Sequence, residues 1–125
     1  MKLIIAVIRP ERLEAVEEAL RSALEEHDRF RLTVQPVEGH GRAGSEPGAP
    51  FQSTGPATGE TGRPAPSLHL QLTIGVNESH LESALSAILS GARTGAGEPG
   101  DGKIFVLPLE DCLRIRTGER GDWAI

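Results

Sequence analysis

The chain has 125 residues, enough for one compact domain and too few for a second of ordinary size. Its formal net charge of -5 excludes a general nucleic-acid binder, which would present a basic surface to the phosphates, and its 1 cysteine, Cys112, excludes an internal disulfide framework. With 3 Phe, 1 Trp and no Tyr, the core must be built largely from aliphatic side chains.

In chain order, Leu3 to Ile8 is an uninterrupted apolar run rich in β-branched residues and reads as a strand buried on both faces. It is too short for a signal peptide or a membrane span, so the expected location is cytoplasmic. Pro10 suits a first helical position, and Leu13, Val16, Leu20, Ala23 and Leu24 recur at helical spacing, which predicts a helix from about Pro10 to Glu26. Phe30 to Val37 alternates apolar and polar residues as a half-buried strand does, with Pro36 best placed at a sheet edge or bulge.

From Arg42 to Pro66 the composition shifts to Gly, Pro, Ser and Thr, with Phe51 as the one large apolar residue. Such a stretch buries too little apolar surface to offset its ordering entropy, and a long mobile loop is expected over 42–66. Leu68 to Val76 follows with a clean period of two, predicting a strand with Leu68, Leu70, Leu72, Ile74 and Val76 on one face. Asn77 or the Ser79/Glu82 pair caps a second amphipathic helix through Leu81, Leu85, Ile88 and Leu89, which Gly91 ends. Ile104 to Leu107 and Cys112 to Arg116 read as two more short strands.

The resulting order, strand, helix, strand, long loop, strand, helix, strand, is the βαββαβ ferredoxin-like arrangement of the α+β class. Two helices cover one face of such a sheet. The apolar runs at Leu3 to Ile8 and Ile104 to Leu107 therefore predict that copies of the chain cover the other, giving a homo-oligomer.

The stretch Gly97-Glu98-Pro99-Gly100-Asp101-Gly102-Lys103 carries the clearest chemistry. Its glycines free the backbone to turn N–H groups toward an anion, and Lys103 adds a positive charge at the exit. Spacing from Gly97 to Lys103 nearly matches a Walker A loop, but Ile104 replaces the hydroxyl residue and a strand follows where that motif needs a helix. Arg114 and Arg116, two apart on a predicted strand, would share a face and could join Lys103 around a phosphate, with Asp101 accepting a hydrogen bond from a ribose or from the loop backbone. His27, His40, His69 and His80 show no metal-ligand spacing and are expected on the surface or in loops, and Cys112 is expected to be structural. No catalytic triad or paired-carboxylate arrangement is visible, and an enzyme is not expected.

Several of these segments resemble the PII signal-transduction proteins: Gly100-Asp101-Gly102-Lys103-Ile104-Phe105, Arg114-Ile115-Arg116-Thr117-Gly118-Glu119, the ending Ala124-Ile125, the opening Ile8-Arg9-Pro10 and Val37-Glu38-Gly39-His40-Gly41-Arg42. The resemblance covers nearly all the chain outside Ala43 to Pro66. It implies a single domain over 1–125 that assembles as a homotrimer and binds ADP, AMP or ATP in clefts between subunits. The glycine-rich loop over 94–103, with Thr94, Gly100, Asp101, Gly102 and Lys103, would hold the nucleotide together with Arg114, Arg116, Thr33, Gly41 and Arg42. Residues 42–66 would act on a membrane transporter or metabolic enzyme in nitrogen or carbon metabolism, without nucleic acid or membrane insertion.

Departures from the family pattern are specific. Ala43 stands where the family has a glutamine that helps hold magnesium and 2-oxoglutarate, the segment 42–66 has no lysine, and there is no tyrosine to uridylylate. These argue against Mg2+, 2-oxoglutarate and uridylylation, and they leave a bicarbonate-linked sensor of inorganic carbon uptake as an alternative. A structural or metal-tolerance trimer of the CutA type and a slow nucleotide hydrolase are the alternatives from other classes.

Overall fold

A computed structural model describes residues 1–24, 30–39 and 67–125 of the chain. Four strands, β1 (Lys2–Ile8), β2 (Thr33–Gly39), β3 (Ser67–Val76) and β4 (Gly102–Pro108), form one sheet in the order β2-β3-β1-β4. All three pairings are antiparallel. Helix α1 (Leu13–Ala23) follows β1 and α2 (Leu81–Ala92) follows β3, so the chain has the ferredoxin-like α+β fold that its element order predicts. The expected mobile loop at 42–66 lies outside the described residues.

The core forms where the period of two in the strands meets the period of 3.6 in the helices. Ile4, Ala6 and Ile8 of β1 and Leu72, Ile74 and Val76 of β3 face Val16 and Leu20 of α1 and Ala84 and Ile88 of α2. Burying a Leu or Ile fully contributes about 1.5–3 kcal/mol, and the aliphatic core runs continuously under both helices.

The other face tells a different story. Leu3 pairs with Leu107 and Ile5 with Phe105, so these four apolar side chains stand together on the face without helices. Phe105 is 50% and Leu107 40% exposed. Within one chain β1 is thus fully buried on one face and half-buried on the other, and its second apolar set is left for another molecule to cover.

Several local expectations need correction. Residues Pro10–Arg12 form a 3-10 turn before α1, and Leu24, in extended backbone, ends the helix short of Glu26. Strand β2 begins three residues later than expected, at Thr33, while Pro36 does lie in an edge strand. Gly91 does not stop α2, which continues to Ala92. A Cβ there would lie 2.7 Å from the Val16 Cα, so the glycine lets the two helix backbones approach. Neither Asn77 nor Ser79 caps with its side chain; Glu78–His80 forms a 3-10 turn, and the Asn77 Nδ2 donates to the Asp122 carbonyl at 3.4 Å.

The predicted strand over Cys112 to Arg116 is a turn. The N–H groups of Thr117 and Gly118 both donate to the Arg114 carbonyl, at 3.3 and 2.7 Å, and the segment closes through a single bridge between Leu113 and Arg120. Gly118 takes a φ of 73°, which lets the chain reverse where a strand would have continued.

Candidate functional site

Strand register places the candidate site at one end of the sheet. Gly102 aligns with Ile8, Ile8 with Leu70, and Leu70 with Pro36. The start of β4, the end of β1, the start of β3 and the last residues of β2 therefore share that end, together with Arg9 and the connection 93–101 from α2.

Asp101 organises this connection. Its carboxylate accepts the Thr94 hydroxyl at 2.5 Å, the backbone N–H groups of Thr94 and Glu98, each at 2.9 Å, and the Arg9 Nε at 3.2 Å. The Thr94 hydroxyl, then the two N–H groups and then Arg9 hold the carboxyl far below the usual carboxylate range, against the opposing effect of burial. Of the two partners that the sequence offers Asp101, the loop itself is the one engaged. Thr94 is likewise occupied with Asp101.

The turns inside the connection close through Gly97 N–H to the Thr94 carbonyl at 2.9 Å and Asp101 N–H to the Glu98 carbonyl at 3.1 Å. Gly102 is fixed by contact: its φ is 109°, and a Cβ there would fall 1.7 Å from the Val7 carbonyl oxygen. No side chain fits. This glycine is what allows the loop to enter β4 while paired closely to β1.

Lys103 follows with its ammonium free of ion pairs among the described residues. It borders a groove of about 490 Å3 whose floor is Leu85, Leu89, Ile104 and Val106 and whose rim carries Arg93, Glu98, Asp101 and Gly102. Arg93, exposed and also without an ion pair among the described residues, is a second cation on this rim. A groove with an apolar floor and two uncommitted cations suits an anion attached to an apolar or aromatic body.

The remaining expected residues are not brought here by the same chain. Strand β4 carries the backbone about 20 Å from Gly102 to Pro108. The C-terminal segment is anchored at that far end, where Leu109 N–H donates to the Met1 carbonyl and Ile125 packs 3.6 Å from the Cβ position of Gly75. Arg114 is tied within that segment, donating to Glu119 Oε2 at 3.0 Å and to the Trp123 carbonyl at 3.2 Å. Arg116 is exposed and unpaired among the described residues, on the turn rather than beside Arg114 on a strand face. Thr33 stands on the opposite sheet edge, three strand spacings or roughly 14 Å across from β4. Gly41 and Arg42 lie outside the described residues.

Three groups at this end were not legible as site residues. Arg9 donates its Nη2 to the Pro99 carbonyl at 2.7 Å as well as its Nε to Asp101. His69, expected on the surface or in a loop, is half-buried in β3, with its Nε2 3.1 Å from the Gly100 carbonyl. Arg93 is the third. A complementary charge on Asp101 was visible for Arg9, but nothing local links residues 92 positions apart. Among the described residues no cluster of His, Cys, Asp and Glu could hold a metal ion, and no helix is long and apolar enough to cross a membrane.

A loop of this build beside an edge strand of a ferredoxin-like sheet agrees with comparison across known proteins. The family model described as "Nitrogen regulatory protein P-II" matches residues 1–119. The chain belongs to the P-II family. GlnK1, a nitrogen regulatory protein of Methanosarcina mazei, is 40% identical over 125 residues, covering 100% of this chain and 97% of its own. A nitrogen regulatory protein P-II of Cereibacter sphaeroides is 37% identical, covering 100% of both chains. Among solved structures, Arabidopsis thaliana PII bound to citrate superposes with a TM-score of 0.73 at 33% identity, covering 99% of this chain and 91% of that one. P-II proteins are regulators, not enzymes.

Proposed function

We propose that this P-II protein is a cytoplasmic signal-transduction regulator that binds ADP, AMP or ATP in clefts between the subunits of a homotrimer. In this reading it acts through residues 42–66 on a membrane transporter or metabolic enzyme of nitrogen or carbon metabolism. The observation that carries the proposal is the preshaped loop 94–103, held by Asp101, with Lys103 left uncommitted at its exit. Lys103, Arg93 and Gly102 of one chain would receive the phosphates. Arg116 and Thr33 would come from a neighbouring copy, since their own chain holds them at the far end and the opposite edge of the sheet. The apolar patch of Leu3, Ile5, Phe105 and Leu107 supports such an assembly.

Isothermal titration with the three nucleotides tests the reading. At least one should bind, and replacing Arg114 and Arg116 together by alanine should weaken it about tenfold or more, the worth of a lost charge-assisted contact. Absence of binding to all three would overturn the proposal; unchanged affinity in the double variant would overturn the arginine assignment.

A second reading, a sensor of bicarbonate coupled to nucleotide, is favoured by Ala43 and by the lack of lysine over 42–66. The similarity to a PII described with citrate, likewise a small oxygen-bearing anion of carbon, is in keeping with it. Bicarbonate that leaves nucleotide affinity unchanged would exclude it.

A further inference from the structure

We propose that Arg9 is a positioning residue for the glycine loop, holding the Pro99 carbonyl and the Asp101 carboxylate so that the Gly100 N–H is turned outward as an anion donor. The inference rests on reading loop 94–103 as a phosphate site and assigns that site a residue from the opposite end of the sequence.

The mount of Arg9 is rigid. Its backbone is extended at φ -66° and ψ 139°, it follows the last paired residue of β1, and Pro10 disfavours the helical alternative. Its carbonyl accepts the Arg12 N–H at 3.0 Å, which fixes the start of the 3-10 turn. From this mount the guanidinium reaches two acceptors in different directions, Asp101 Oδ1 through Nε at 3.2 Å and the Pro99 oxygen through Nη2 at 2.7 Å. Lysine could not do the same, because it offers one nitrogen where two separated donors are needed.

Peptide planarity supplies the consequence. In a trans peptide the C=O and the following N–H point in opposite directions. Drawing the Pro99 carbonyl onto Arg9 therefore turns the Gly100 N–H away from it, and among the described residues that N–H has no acceptor. Gly100 itself is required, since its φ is 90° and an added Cβ would meet the Arg9 Nη2 at 3.3 Å. The next carbonyl, of Gly100, meets His69 Nε2. Two side chains thus orient consecutive peptide planes, and Arg9 also neutralises the Asp101 charge that would otherwise repel an arriving anion.

The test pairs hydrogen–deuterium exchange on the ligand-free protein with ADP titration, for the parent chain, Arg9→Gln and Arg9→Lys. In Arg9→Gln the amides of Gly97, Glu98 and Asp101 should exchange about tenfold faster or more, while those of Ile5 and Thr73 in the β1–β3 ladder do not change. ADP affinity should fall about tenfold, and Arg9→Lys should recover part of both effects. The proposal is overturned if loop exchange is unaltered, if the ladder amides accelerate equally, or if the loop loosens without loss of affinity. If the parent chain binds no nucleotide and Arg9→Gln still loosens the loop selectively, the nucleotide reading fails and the positioning role stands.

Discussion

At the scale of single residues, the candidate site depends on two positions that tolerate no neighbours other than those they have. Gly102 meets the Val7 carbonyl so closely that alanine must push β4 away from β1, and Gly102→Ala should cost about 3 kcal/mol, measured as a lowered urea midpoint. Asp101 makes its prediction through acid. Its folded carboxyl is held below the ordinary aspartate value of about 3.9, so the stabilisation it gives is complete above that value and disappears as pH falls through the lower, folded one. Exchange protection of the Glu98 amide should accordingly stay level from neutral pH to about pH 4 and drop only in stronger acid. Asp101→Asn should lower protection at neutral pH and remove the acid step. The glycine turn and the cation at its exit were legible because local composition alone announces a tight turn followed by a lysine. Arg9, His69 and Arg93 were not, because their roles come from strand register and loop closure, which no short window of sequence contains.

Among the elements, strands and helices were read well wherever a regular apolar period ran for several residues, as in β3 and α1. Errors fall where a signal has two physical meanings. Gly91 can end a helix or let two helices touch, and only the packed pair decides: its Cβ position is 2.9 Å from the Ala15 carbonyl oxygen as well as against Val16. Gly91→Ala should thus destabilise by about 1–3 kcal/mol through overpacking, although alanine is the better helix former, as a thermal melt would register. Cys112 to Arg116 reads as a short strand, yet Ile115 is fully exposed and Leu113 56% exposed. Two apolar residues cannot hold a strand in place when Thr117 and Gly118 offer a turn that satisfies the Arg114 carbonyl twice. Asp111 and Arg120, paired across that segment, keep the resulting hairpin-like end closed and hold the Asp111 carboxyl below its ordinary range.

For the whole molecule, the face of the sheet opposite the helices is the informative surface. Phe105→Glu should leave the single-chain fold intact, because the side chain is half exposed and outside the core, while introducing charge into the apolar patch. Sedimentation should then show a smaller species with an unchanged circular dichroism spectrum; an unaltered sedimentation coefficient would remove this face from the assembly. The fold and its need for a partner could be read from apolar runs too continuous for a sheet covered once. The separation of Thr33, Arg114 and Arg116 from the glycine loop within one chain could not, since it depends on β4 and β2 lying on opposite edges and on the C-terminal segment being anchored at the far end of β4. That separation has a consequence for mixtures. If the proposed clefts between subunits hold, a chain carrying Lys103→Ala lacks one half of every cleft and a chain carrying Arg116→Ala lacks the other, so neither alone should bind ADP well. Unfolded together and refolded as hybrids, the two defective chains should complement each other, because some clefts then draw both halves from intact donors.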